Sequence, residues 1–118
     1  MNSVQLMVPR LGAYLLSSVL LVAAWSNAHA AGNVKAGREK AQMCEACHGL
    51  DGRSKMPEAP NLAGQVESYI VEQLKAFKAG DRKNEQMSVM VQGLSPQEIE
   101  DLAAYYAAIE ITVGKIPN

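Results

Sequence analysis

Cys44-Glu45-Ala46-Cys47-His48 sets two thiols three positions apart with an imidazole directly behind them. Residues at i and i+3 share one face of a helical turn, so both sulfurs can meet the same edge of a flat partner. C-x-x-C-H is the attachment signal for c-type haem. Each thiol adds across a porphyrin vinyl group to form a thioether, and the histidine ligates the iron. Three other chemistries compete. Two cysteines in an exported protein can form a disulfide. A thioredoxin-like pair needs a βαβ setting, and no strand pattern precedes this motif. A zinc site needs four ligands, whereas residues 31–118 hold two Cys and one His. The expectation is one haem c, bound covalently through Cys44 and Cys47 and ligated by His48.

A second axial ligand separates gas or peroxide chemistry from pure electron transfer. Thioether sulfur is the candidate, from Met43, Met56, Met87 or Met90. Met43 adjoins Cys44 and cannot reach the opposite haem face. Met87 and Met90 lie far along the chain, three positions apart, so spacing alone does not separate them. Methionine also fills irregular core gaps, and packing is the alternative role for both.

These groups need helices to hold them. Val34 to Met43 reads as a helix running into the cysteines. Gly37 weakens it by about 1 kcal/mol relative to alanine, which implies that another backbone approaches closely there. Residues 49–64, rich in Gly, Pro, Asp and Asn, form a long loop. Val66 to Ala79 returns to helical spacing, with Val66, Tyr69, Ile70, Leu74 and Phe77 on one face and Gly80 as the stop. Asp81 to Gly93 is polar but contains Met87 and Met90. Ser95, Pro96 and Glu98 announce the last helix through a capping box. Its face is Ile99, Leu102, Ala103, Tyr106 and Ile109, and it should fade near Ile111 to Gly114. No strand pattern appears. The expected fold is all-α, three to four helices around one haem.

The beginning of the chain reads differently. Arg10 precedes an apolar run, Leu11 to Ala24, and Ala28-His29-Ala30 offers small residues for a signal peptidase. This is the layout of a secretory leader, with an uncleaved anchor as the alternative. The expected domains are a cleaved leader over 1–30 and one domain over 31–118, delivered to the periplasm. Loss of the leader removes His29, so bis-histidine ligation within the chain is not expected. It also removes Arg10 and no acid, moving the formal charge from −1 to −2. So mild a balance argues against nucleic acid and anionic membrane surfaces. Phe77 is the only phenylalanine, and the one tryptophan, Trp25, lies in the leader. A small domain so poor in bulky groups often needs a cofactor to complete its core.

Taken together, the chain resembles a class I (monohaem) cytochrome c of the short bacterial periplasmic type, and is also similar to one half of the dihaem cytochromes c. The likeness rests on CEACHG at Cys44 to Gly49, P-N-L-A-G-Q at Pro60 to Gln65, the helix Tyr69 to Gly80, the stretch Met87 to Ser95 and L-A-A-Y-Y at Leu102 to Tyr106. In similar proteins the ligand methionine lies seven positions before the leucine that opens the last helix. Counting back from Leu94 gives Met87. The resemblance also implies that the carbonyl of Pro60 accepts the proton-bearing ring nitrogen of His48. Met56 would then have to reach the other haem face within four residues of Pro60, which is improbable. The first and last helices are expected to pair, Gly37 making room for Tyr105 or Tyr106.

The implied function is a carrier and not an enzyme: one-electron transfer through haem with His/Met ligation, between a redox protein donor and acceptor, as a monomer. One alternative is a haem-bearing subunit of a larger dehydrogenase or oxidase. Another is a gas- or peroxide-reactive protein with an open sixth site. Lys75, Lys78, Arg82 and Lys83 form a modest basic cluster, either a solvated face or a guide for an acidic partner, and Arg82 could meet a haem propionate.

Overall fold

Asn33 starts the first helix by accepting the backbone N–H of Ala36 on its side-chain oxygen, at 2.9 Å. In the computed structural model, which describes residues 31–118, that helix is α1, Val34–Lys40. The expected continuation to Met43 is present but tightens into a 3₁₀ turn over Ala41–Met43. A short α2, Glu45–His48, carries the second half of the cysteine motif. The loop expected after it runs to Val66, which caps α3, Glu67–Ala79. Then come α4, Glu85–Met90, and α5, Pro96–Ala107. There is no strand among the described residues. The five helices exceed the expected three to four because α2 and α4 are too short to show a period. The expected leader over 1–30 lies outside the described residues.

The core forms where α5 meets α1 and α3. Ile99, Leu102, Ala103 and Tyr106 are all buried, as the periodicity of α5 implied, and Ile109 packs at their edge. On α3 the buried set is Ile70, Val71 and Phe77. Val66 and Tyr69, expected on that face, are instead 62% and 45% exposed. Val66 stands outside the helix as its cap, and with Val71 inward the buried stripe turns away from Tyr69.

α1 crosses α5 at Gly37, and the reason is steric. A Cβ there would stand 1.9 Å from the carbonyl oxygen of Asp101 and 2.8 Å from the Cβ of Tyr105. Tyr105 is thus the neighbouring tyrosine, but the closest obstacle is backbone. Asp101, itself buried, ties the start of α1 to α5 by accepting from Asn33 N at 2.8 Å and from Gln97 Nε2 at 2.9 Å. Lys40–Glu98 adds an ion pair across the same seam.

α5 starts as its sequence implied, with the Ser95–Glu98 capping box formed and Pro96 in the first turn. It stops about a turn before the expected end. The Tyr106 carbonyl, which a continuing helix would give to Glu110, accepts Gly64 N at 2.9 Å. The β-branched residues Ile109, Ile111, Thr112 and Val113 favour continuation little.

Candidate functional site

The turn bearing the two cysteines is wound on one acceptor. The Cys44 carbonyl takes Cys47 N at 3.3 Å and His48 N at 2.9 Å. Both cysteines are free thiols, half-buried. Burial, reinforced by the neighbouring Cys47 and opposed by Lys40, pushes the Cys44 thiol up to about 11. Burial thus favours the protonated form of the Cys44 thiol.

Gly49 ends the turn with φ 72°, and a Cβ there would meet Asp51 Oδ1 at 2.3 Å. Only glycine fits this left-handed, crowded position. The loop then doubles back. Lys55 N donates to the Cys47 carbonyl at 2.8 Å, Leu62 N and Ala63 N both donate to the Gly52 carbonyl, and Ser54 N donates to Asn61 Oδ1. The folded loop presents the Pro60 carbonyl to His48, whose Nδ1 lies 2.9 Å away. His48 is only 7% exposed. Its Nδ1–H donates to the Pro60 carbonyl, which leaves the Nε2 lone pair available, the form in which an imidazole binds a metal.

The late helix holds this loop from behind. Tyr105 Oη donates to the Leu50 carbonyl at 2.6 Å, and Tyr106 Oη points at the Gly49 carbonyl at 3.4 Å. Burial raises the Tyr106 hydroxyl well above the usual tyrosine range, so it stays a donor. Sequence reasoning expected the tyrosines to pack and missed these bonds. The available signal was that a buried tyrosine hydroxyl needs a partner.

The methionines separate. Asn84 caps α4, accepting from Gln86 N at 3.1 Å and Met87 N at 2.9 Å. Met87 is half-buried and packs against the core cluster. Met90, three residues on, is 40% exposed. Met43 is also exposed. Met56 lines the same open hollow as Pro60. That places it beside the acceptor of the His48 Nδ1 proton.

The basic cluster is largely spoken for. Lys75 pairs with Glu100 at 2.9 Å. Lys78 donates to backbone carbonyls of the segment before α5. Arg82 lies over the Phe77 ring, 4.5 Å from its centroid, with Nη1 donating to Gln73 Oε1 at 2.6 Å. Its side chain is folded against α3.

Two thiols on one turn and a buried imidazole with one nitrogen committed to a carbonyl fit a covalently held haem. The family comparisons agree. The sequence profile of the cytochrome c family matches residues 34–108. Cytochrome c4 of Pseudomonas aeruginosa is 43% identical over 100 residues, covering 85% of this chain and 50% of that protein. Cytochrome c-554(548) of Halomonas halodenitrificans is 45% identical over 83 residues, covering 68% of this chain and the whole of that protein. The crystal structure of reduced cytochrome c4 from Pseudomonas stutzeri superposes with a TM-score of 0.65 at 43% identity, covering 71% of this chain and 49% of the other. The chain thus spans about half the length of the cytochromes c4 it matches. It belongs to the cytochrome c family, whose prosthetic group is haem c, and Cys44 to His48 carries that family's C-x-x-C-H motif.

Proposed function

We propose that this protein is a periplasmic electron carrier, with haem c held by Cys44 and Cys47 and ligated by His48 and Met87. The haem supplies a reversible one-electron change at iron. The protein's residues keep everything else still. The Pro60 carbonyl accepts a hydrogen bond from His48 Nδ1–H, fixing the tautomer and making the imidazole a stronger donor. Met87, carried on a capped helix and packed on the core, supplies a thioether, which together with burial favours the reduced iron. With His48 and Met87 both holding the haem, the same protein donors would serve both oxidation states, so little would rearrange when an electron arrives. The donor and acceptor are redox proteins. No substrate pocket is required, since nothing but an electron is exchanged.

The observation that carries this reading is the commitment of His48 Nδ1 to Pro60. The leader pattern over 1–30 supports export, and no described helix is long and apolar enough to cross a membrane. The test is carbon monoxide added to the reduced holoprotein at neutral pH. A closed site leaves the spectrum unchanged over minutes and gives a single one-electron wave in potentiometry. Rapid stoichiometric carbon monoxide binding would assign the protein to gas or peroxide chemistry instead.

A further inference from the structure

The segment that bears Met87 is fastened to α3 at both ends. Upstream, Arg82 N donates to the Ala76 carbonyl, and the Arg82 side chain rests on Gln73 and Phe77. Downstream, Lys78 in the last turn of α3 does not cap its own helix. Its ammonium donates to the Gln92 carbonyl at 2.9 Å and to the Leu94 carbonyl. Gln92 answers in the other direction, its Nε2 donating to the Ser88 carbonyl at 3.0 Å and to the Lys78 carbonyl at 3.4 Å. Val91 and Leu94 are buried on either side of this exchange. Met87 sits between the two fastenings, and its carbonyl accepts Val91 N at 3.1 Å.

We propose that Lys78 is a positioning residue for Met87: a cationic clasp across Gln92 and Leu94 that holds the segment after α4 down on α3 and so keeps the thioether on the iron. The inference rests on the assignment of Met87 as ligand. A single ammonium bridging two carbonyls makes charge-assisted bonds, stronger than neutral ones. Releasing it frees the chain between α4 and α5, through which α4 would lift. The other lysine on this part of α3, Lys75, directs its ammonium to Glu100 on α5 instead of to the carbonyls of the segment. It provides an internal control.

The test is imidazole titration of the ferric holoprotein, with the weak far-red sulfur-to-iron band recorded alongside. Imidazole binds only when the thioether has left, so its apparent affinity reports opening of the segment. Lys78→Met keeps an apolar stem and removes the donors; it should raise imidazole affinity about tenfold and weaken the band, the size expected for losing one or two charge-assisted bonds. Lys78→Arg restores cation and donors and should stay within about threefold of wild type. Lys75→Met should match wild type. Wild-type affinity in Lys78→Met, or an equal gain in Lys75→Met, overturns the clasp. A failure of the ligand assignment looks different: Met87→Ala would keep the far-red band and the wild-type imidazole affinity, and the premise would fall with it.

Discussion

Nδ1 of His48 lies 2.9 Å from the carbonyl oxygen of Pro60, twelve residues further along the chain. That one bond links the end of the cysteine turn to the far side of the following loop. It fixes which imidazole nitrogen is left available to bind a metal. The acceptor is a backbone carbonyl, so the proline ring itself is not what His48 needs.

Pro60→Ala should therefore leave the reduction potential and the visible spectrum as in wild type. Stability should fall by about 0.4–1 kcal/mol, because the freed chain gains unfolded-state entropy. Potentiometry and a denaturant melt on the same sample check both. A large drop in potential would mean that the ring, and not the carbonyl, orients the histidine.

Met87→Ala should remove the far-red band, admit carbon monoxide to the reduced protein, and lower the potential by on the order of 100 mV, a modest part of the ~0.8 V that axial ligands can span. Met90→Ala should do none of these, because that side chain is 40% exposed. The opposite pattern would move the ligand to Met90. If neither substitution has an effect, methionine ligation is wrong.

Gly37→Ala places a methyl group 1.9 Å from the Asp101 carbonyl, where only backbone movement can relieve the clash. The expected cost is about 3 kcal/mol or more, at the upper end of overpacking penalties. Gly93→Ala meets nothing within 4 Å and should stay within about 1 kcal/mol of wild type. Denaturant unfolding of the two variants against wild type makes the comparison.

Glu98 is held down to about 2, first by Lys40 and then by the backbone N–H of Ser95. A carboxylate depressed in the folded state stabilises above its unfolded value of 4.5, and that stabilisation is lost as pH falls toward 2. Glu98→Gln lacks the titrating group. The difference in stability between wild type and Glu98→Gln should be full at pH 6 and close progressively between pH 4.5 and about 2, followed by guanidinium midpoints at several pH values. A constant difference across that range would mean that the Lys40 pair contributes nothing.

The parts of the molecule legible in the sequence were those encoded by local chemistry. The cysteine turn, the Ser95–Glu98 box and the Gly80 stop each depend on a few adjacent residues, and each is present. The close approach at Gly37 was legible as a glycine in need of a reason, but its partner, the Asp101 carbonyl, was not. A carbonyl has no side-chain signature. The burial of Val71 in place of Tyr69 was hidden because several stripes on α3 are nearly equally apolar. The early end of α5 depends on Gly64 reaching Tyr106 across 42 positions, which no window could register. The two methionines of α4 share a spacing, so the residues alone did not separate them; the resemblance implies Met87, and the docking of that helix half-buries Met87 while leaving Met90 40% exposed.

The claim on which the rest depends is that Cys44 and Cys47 hold the porphyrin by thioether bonds beside His48. Acid–acetone extraction of the holoprotein, followed by a visible spectrum of both phases, tests it most directly. All colour should stay with the precipitated polypeptide, and a Cys44→Ala/Cys47→Ala double variant should accumulate without attached pigment. Colour passing into the organic phase from the wild-type protein would contradict it.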